Sequence, residues 1–162
     1  MIRCAKYEDL DTITDIYAAA RKYMADNGNA TQWPDSYPDR EMLREDIRSG
    51  QLFVYVENDK IHGAFAFIIG PDATYLLIEN GSWKNDSLYG TIHRVASDGA
   101  VKGVFGQYLD FCKKRIANLR IDTHKNNRTM RHLLEKNGFE KCGTIHVRDG
   151  TPRIAYQYTQ LR

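Results

Sequence analysis

A mixed α/β fold is predicted for this 162-residue chain, and three features of the sequence predict it. The spacing of apolar residues changes repeatedly between the helical period and the two-residue period of strands, as one layered core of helices and sheet requires. The stretch Ala100-Val101-Lys102-Gly103-Val104-Phe105-Gly106, between a strand-like run at Thr91–Ala96 and an apolar-periodic helix at Phe105–Ile116, reads as strand, glycine loop and helix. A further strand at Leu119–Asp122 follows that helix, and strand, crossover helix and strand imply parallel pairing.

Taken in order, Ile2–Cys4 reads as a short strand. Leu10, Ile13, Tyr17, Ala20 and Met24 then recur on one helical face, with Glu8 and Asp9 in the first turn and an end near Asn27-Gly28. Trp33, Tyr37 and two prolines interrupt regular structure before a second helix at Asp39–Gly50. Leu52–Val56 and Ile61–Ile69 are β-branched and aromatic, and Glu57-Asn58-Asp59-Lys60 between them predicts a hairpin. Tyr75–Glu79 reads as one more strand, paired with the run from Thr91 across an irregular insertion. Phe105, Leu109, Cys112 and Ile116 form the apolar stripe of the third helix. Asn126 or Asn127 caps the fourth, whose Met130, Leu133 and Leu134 face inward and which Gly138 ends. Phe139–Val147 and Arg153–Tyr158 flank Asp149-Gly150-Thr151-Pro152, a hairpin signal. The predicted order is β-α-α-β-β-β-α-β-α-β-β, in a single domain spanning residues 1–162 without repeat or linker.

Composition narrows the function. With 23 basic and 21 acidic side chains, a net charge of +2 and the basic residues dispersed over several helices, no polyanion partner is expected. From Met1 the chain goes directly into Ile2-Arg3-Cys4, without an apolar run long enough for a signal peptide or span, so a cytoplasmic protein without a membrane partner is expected. Cys4, Cys112 and Cys142 are odd in number and far apart, which suggests neither a disulfide framework nor a zinc site. His62, His132 and His146 lack partners at ligand spacing, so no metal is expected. Cys112 and Cys142 occupy ordinary positions for small buried hydrophobes, against acyl-enzyme chemistry. At the glycine loop, a helix begins with N–H groups that have no internal partner and a dipole that favours an anion, so a phosphate is the natural occupant.

The element order, Gly103 at the helix start, and Asn127-Arg128-Thr129-Met130-Arg131-His132-Leu133-Leu134-Glu135-Lys136-Asn137-Gly138-Phe139 together resemble the GNAT superfamily of acyl-CoA-dependent N-acetyltransferases over nearly the whole chain. The resemblance implies a mixed sheet, flanked by helices, that splays between its fourth and fifth main strands, the ones holding His93 and Leu119–Asp122. It also implies acetyl-CoA as acyl donor. Val101, Lys102, Gly103, Val104, Phe105 and Gly106 would cradle the diphosphate, and Asn127 matches the family's asparagine near the cofactor. Against the family's Arg/Gln-x-x-Gly-x-Gly/Ala signature the chain offers Ala100, Gly103 and Phe105, with Gly106 one position further on. Leu134 stands where many members carry a tyrosine that protonates the departing thiolate.

Acetyl transfer to an amine needs a free lone pair, a donor for the thioester oxygen and a proton acceptor. Backbone N–H groups near Val95 to Ser97, on the strand expected to splay, are assigned to the oxygen. His93 is the first base candidate, since imidazole titrates near working pH and the residue lies on the strand flanking the cleft. Strand alternation places Arg94 opposite it, to structure the loop or pair with an acid. Glu79 is the second candidate; Asp122 and His124 are the third. Trp33, Tyr37, Trp83 and Tyr89, on irregular segments, are read as walls of an acceptor pocket or as loop anchors. The expected activity is acetyl transfer from acetyl-CoA to the amine of a small molecule or peptide, with an acyl-CoA-binding module of the same fold as the alternative, and a homodimer through strand pairing.

Overall fold

The structure is a computed structural model that describes residues 1–160. Its elements are β1 (Ile2–Cys4), α1 (Leu10–Asp26), α2 (Arg40–Arg48), β2 (Leu52–Glu57), β3 (Lys60–Ile69), β4 (Gly90–Ser97), α3 (Val104–Lys113), β5 (Asn118–Thr123), α4 (Arg128–Lys136), β6 (Glu140–His146) and β7 (Pro152–Thr159), the order read from the sequence except for the strand expected at Tyr75–Glu79. Local chemistry sets the boundaries. The Asp39 carboxylate accepts the Met42 N–H at 2.8 Å and starts α2, and Asn127 Oδ1 accepts the Met130 N–H at 3.1 Å and starts α4. Asn58 and Asp59, at φ +51° and +61°, make the two-residue turn between β2 and β3.

The seven strands form one sheet in the order β1-β2-β3-β4-β5-β7-β6. The β1–β2, β2–β3, β5–β7 and β6–β7 ladders are antiparallel, and β4–β5 is parallel. That parallel ladder stops after two register pairs, Gly90 with Leu119 and Thr91 with Arg120. So short a ladder fits the mixed sheet expected to splay between its fourth and fifth strands.

The chain forms two compact units, residues 1–67 with 92–109 and residues 68–91 with 110–162. In the first, Leu10, Ile13, Ile16, Tyr17, Ala20 and Leu43 of the two helices pack with Leu52, Val54, Ala64, Ala66 and Ala96 of the strands. Their alternation along β2 and helical spacing along α1 are what bury one face of each. In the second, Tyr75, Tyr89, Ile145 and Ala155 form a core with Ile78, Trp83 and Val147 around it.

One predicted strand is absent. Tyr75–Glu79 does not extend, because the Asp72 carboxylate takes the Thr74 N–H at 2.9 Å and the Tyr75 N–H reaches the Asp72 carbonyl at 3.0 Å, closing a 3-10 turn over Ala73–Tyr75. Leu76 and Leu77 are then exposed, 78% and 68%, and strand pairing is confined to a single bridge between Glu79 and Thr144.

Gly63 of β3 makes a testable close approach. A Cβ there would overlap the Tyr108 hydroxyl and sit 2.9 Å from the Ala96 carbonyl, the two groups that share a 2.9 Å hydrogen bond joining α3 to β4. Gly63→Ala is expected to break that bond and cost about 1–3 kcal/mol, measured by urea denaturation. An unchanged midpoint would mean that the helix yields without loss.

Candidate active site

The site is built from β4, the loop after it and the first turn of α3, all in the first unit apart from the start of β4. Within β4, Arg94 sits at φ +50°, a left-handed conformation that a side chain other than glycine rarely adopts. Two anchors hold it there. The Tyr17 hydroxyl of α1 donates to the Arg94 carbonyl at 2.6 Å. The guanidinium reaches the Asp46 carboxylate of α2 through Nε at 2.9 Å and a terminal nitrogen at 2.8 Å.

This is a buried ion pair, with its charges largely withdrawn from water. Burial lowers the Arg94 pKa, but Asp46, the Tyr37 hydroxyl and Tyr17 more than reverse the effect, so it ends above its ordinary value. Burial raises the Asp46 carboxyl by more than Arg94 and His93 pull it down. His93 therefore acts on the same carboxylate as Arg94. The alternation that would put the two residues on opposite faces is interrupted at the left-handed residue. Of the readings for Arg94, pairing with an acid is the one observed.

Two of the predicted pocket aromatics converge here. Trp33 lies between Tyr17 and Tyr37, with ring centroids 5.8 Å from each. Tyr37 also raises the Arg94 pKa, and its carbonyl receives Arg21 at 2.8 Å. Tyr17, Trp33, Tyr37, Asp46, His93 and Arg94 thus form one polar and aromatic cluster, although they come from four separate stretches of sequence, α1, the loop after it, α2 and β4. A cleft of about 470 Å³ elsewhere in this unit, lined by Tyr7, Arg40, Arg44 and Arg48 among others, contains none of the predicted residues.

The glycine loop follows β4 directly. Gly99 and Gly103 lie at φ +77° and +76°, which a residue with a side chain reaches only with strain. A Cβ built on Gly103 or on Gly106 would meet nothing within 4 Å, so that side of the loop and of the first helical turn is open to an approaching group. Val104 and Phe105 are buried and fix the turn, while Lys102 is exposed and Val95 and Val101 are half-buried. The Gln107 N–H takes the Gly103 carbonyl at 3.3 Å; helix geometry leaves the N–H groups of Val104, Phe105 and Gly106 without intrahelical partners. Donors of this kind and an open glycine surface fit a diphosphate.

The other predicted residues belong to the second unit. Glu79 is exposed, its backbone paired with Thr144 at 2.9 and 2.8 Å. The side-chain oxygen of Asn127 caps α4. Asp122 accepts a 2.7 Å hydrogen bond from Tyr75, and burial, then Arg153 and Lys125, lower the His124 pKa. Trp83 and Tyr89 both lie against the buried Arg120 guanidinium, with ring centroids 4.2 and 3.9 Å away, and the Tyr89 hydroxyl accepts the Asp72 N–H at 2.8 Å. Leu134 is fully buried. Burial pushes the Cys112 thiol up to about 12 and raises that of Cys142, which disfavours a thiolate nucleophile at either. Among the described residues no group of three His, Cys, Asp or Glu is placed to hold a metal, and no helix is long and apolar enough to cross a membrane.

Asp46 and Tyr17 are the residues of this cluster that sequence reasoning did not assign to a site. Neither carries a local signal in the sequence, since what assigns them is contact with the distant Arg94.

No family model matches the sequence, and no curated protein does. Among solved structures, the chain is similar to a GNAT-family acetyltransferase from Streptococcus agalactiae 2603, at 32% identity over 100% of this chain and 96% of that one, with a TM-score of 0.90. A GNAT-family acetyltransferase from Listeria monocytogenes 4b F2365 is 19% identical over 98% and 94% of the two chains, with a TM-score of 0.72. An N-acetyltransferase from Staphylococcus aureus Mu50 is 21% identical over 98% and 97%, with a TM-score of 0.61. These last two speak for the fold.

Proposed function

Since the chain belongs to the GNAT family of acetyltransferases, we propose that it transfers the acetyl group of acetyl-CoA directly to the amine nitrogen of a small molecule or peptide. The observation that carries this reading is the glycine loop, whose two left-handed glycines lead into an open first turn of α3. Acetyl-CoA brings the activated acetyl thioester. Backbone N–H groups from Val101 to Gly106 hold its diphosphate, the α3 dipole adds positive potential, and Lys102 adds a charge at the rim. Backbone around Val95, next to the fixed kink at Arg94, polarises the thioester carbonyl. Trp33 and Tyr37 offer an aromatic wall to the acceptor. The acceptor nitrogen forms the C–N bond as the C–S bond breaks, and its proton passes to His93. Glu79 is the second candidate for that proton, and Asn127 is assigned to the cofactor.

One observation favours a second reading. Leu134, in the position of the family's thiolate-protonating tyrosine, is fully buried and has no proton to give, as suits a protein that binds acyl-CoA without turning it over. A coenzyme A thiolate is itself a fair leaving group near neutral pH, so the transferase reading stands first. Thiol release from acetyl-CoA over a panel of amines and peptide N-termini separates the two. Release with one acceptor class supports transfer; saturable binding with no release anywhere selects the binding module.

With an acceptor in hand, His93→Ala is expected to lower kcat/KM by about 100-fold, the lower end of general-base contributions. An unchanged rate would transfer the role to Glu79, tested by Glu79→Gln.

A further inference from the structure

We infer that His62 is a positioning residue for the acyl donor, holding Asp98 and through it the glycine loop that receives the diphosphate; this rests on the acetyl-CoA reading above. His62 lies on β3, and its Nδ1 is 2.8 Å from Asp98 Oδ2. A carboxylate only accepts, so Nδ1 is the nitrogen that carries hydrogen. The other carboxylate oxygen accepts the Ala100 N–H at 2.9 Å, and the Asp98 N–H donates to the His62 carbonyl at 2.9 Å. Three hydrogen bonds thus fix the first residue of the loop. With side-chain exposures of 17% and 32%, the His62–Asp98 pair is shielded well beyond an ordinary surface contact.

Two physical consequences follow for a diphosphate. The loop contains Gly99 and Gly103 in left-handed conformations, and glycines lose the most freedom when ordered. Fixing Asp98 and turning the Ala100 N–H inward sets the loop before any ligand arrives, which removes part of the ordering cost from binding. The second consequence is electrostatic. A carboxylate at the start of a phosphate loop has the wrong sign, and repulsion at this range is screened only in part. The imidazole N–H covers one carboxylate oxygen and the Ala100 amide the other, so the anion's lone pairs are engaged within the protein. Tyr108, bonded to Ala96 at the end of β4 that enters the loop, anchors the helix side of the same loop. Strand, loop start and helix are each tied down by a different side chain.

The test compares acetyl-CoA with S-acetylpantetheine, which carries the same thioester but no diphosphate. Calorimetric titration and competition give the affinities of both for wild type, His62→Ala and His62→Asn, with thermal midpoints to verify folding. His62→Ala is expected to weaken acetyl-CoA by about tenfold, the equivalent of one lost charge-assisted hydrogen bond, and to leave S-acetylpantetheine in place. His62→Asn, whose amide donates from nearly the Nδ1 position, is expected to restore most of the loss. On an Asp98→Asn background, His62→Ala should add little. Unchanged acetyl-CoA affinity in folded His62→Ala, equal weakening of both donors, or no rescue by asparagine would each overturn the inference alone. Failure of the wild type to bind acetyl-CoA would instead overturn the acetyl-CoA reading, and the inference with it.

Discussion

Asp46→Ala is expected to destabilise the protein by about 3 kcal/mol or more, the usual cost of breaking a buried ion pair from one side. The side chains of Arg94 and Asp46 are only 12% and 9% exposed, so the variant leaves a guanidinium out of water and without its anion. The backbone adds to the loss. Arg94 is held at φ +50°, a conformation of order 1–3 kcal/mol above the extended one, and it persists because Asp46 holds the side chain while Tyr17 holds the carbonyl. Removing Asp46 frees the strand to relax and shifts the residues beside the kink, His93 and Val95. A thermal midpoint lower by roughly 10 °C is expected for a chain of this size. The same substitution on an Arg94→Ala background should cost much less.

The pair is also a pH reporter. Burial, working against Arg94 and His93, leaves the Asp46 carboxyl above its ordinary value, so the folded protein binds this proton more tightly than the unfolded chain. Protonation then favours the fold, and the benefit grows as pH falls from the folded value towards the ordinary one. Across that window the wild type should lose less stability on acidification than Asp46→Asn. An Asp46→Asn protein with the same acid profile would show that the carboxyl does not titrate differently on folding.

Gly103→Val is expected to weaken acetyl-CoA by at least about tenfold with only a modest fall in stability. At φ +76° a β-branched residue is strained by about 1–2 kcal/mol, yet a Cβ there meets nothing within 4 Å, so no packing is lost. The strain falls on the loop, and on the N–H groups that follow it. Gly106→Ala separates strain from obstruction. Gly106 has no positive φ and no neighbour within 4 Å of an added Cβ, and alanine is the better helix former by about 0.8–1 kcal/mol. Weakened acetyl-CoA binding in a Gly106→Ala protein of equal or greater stability would report direct contact with the diphosphate. Full affinity in both variants would remove the loop from the binding site.

Much of the fold was legible because it depends on local signals. Asn127 and Gly138 bound α4 by capping chemistry, Asn58-Asp59 sets a hairpin, and the periods of α1 and β2 show which faces are buried. Tyr75–Glu79 was misread because its β-rich composition is overruled by a single carboxylate, Asp72, that closes a turn. The glycine loop was visible in its glycines. What surrounds it was not. Asp46 and Arg94 are 48 residues apart and His62 and Asp98 are 36 apart, and one sequence carries no record of which distant charges meet. A left-handed arginine inside Ile-His-Arg-Val-Ala has no signature either, since Ile92 and Val95 on either side favour extension and the kink is imposed by tertiary anchors.

The central claim is that the glycine loop binds acetyl-CoA, and calorimetric titration of the purified protein with acetyl-CoA, with ATP and NAD as controls, tests it most directly. Saturable binding of acetyl-CoA near one equivalent, lost or sharply weakened in Gly103→Val, with no comparable heat from ATP or NAD, is the result expected. No binding of acetyl-CoA to the folded wild type, or equal binding of all three ligands, would contradict it.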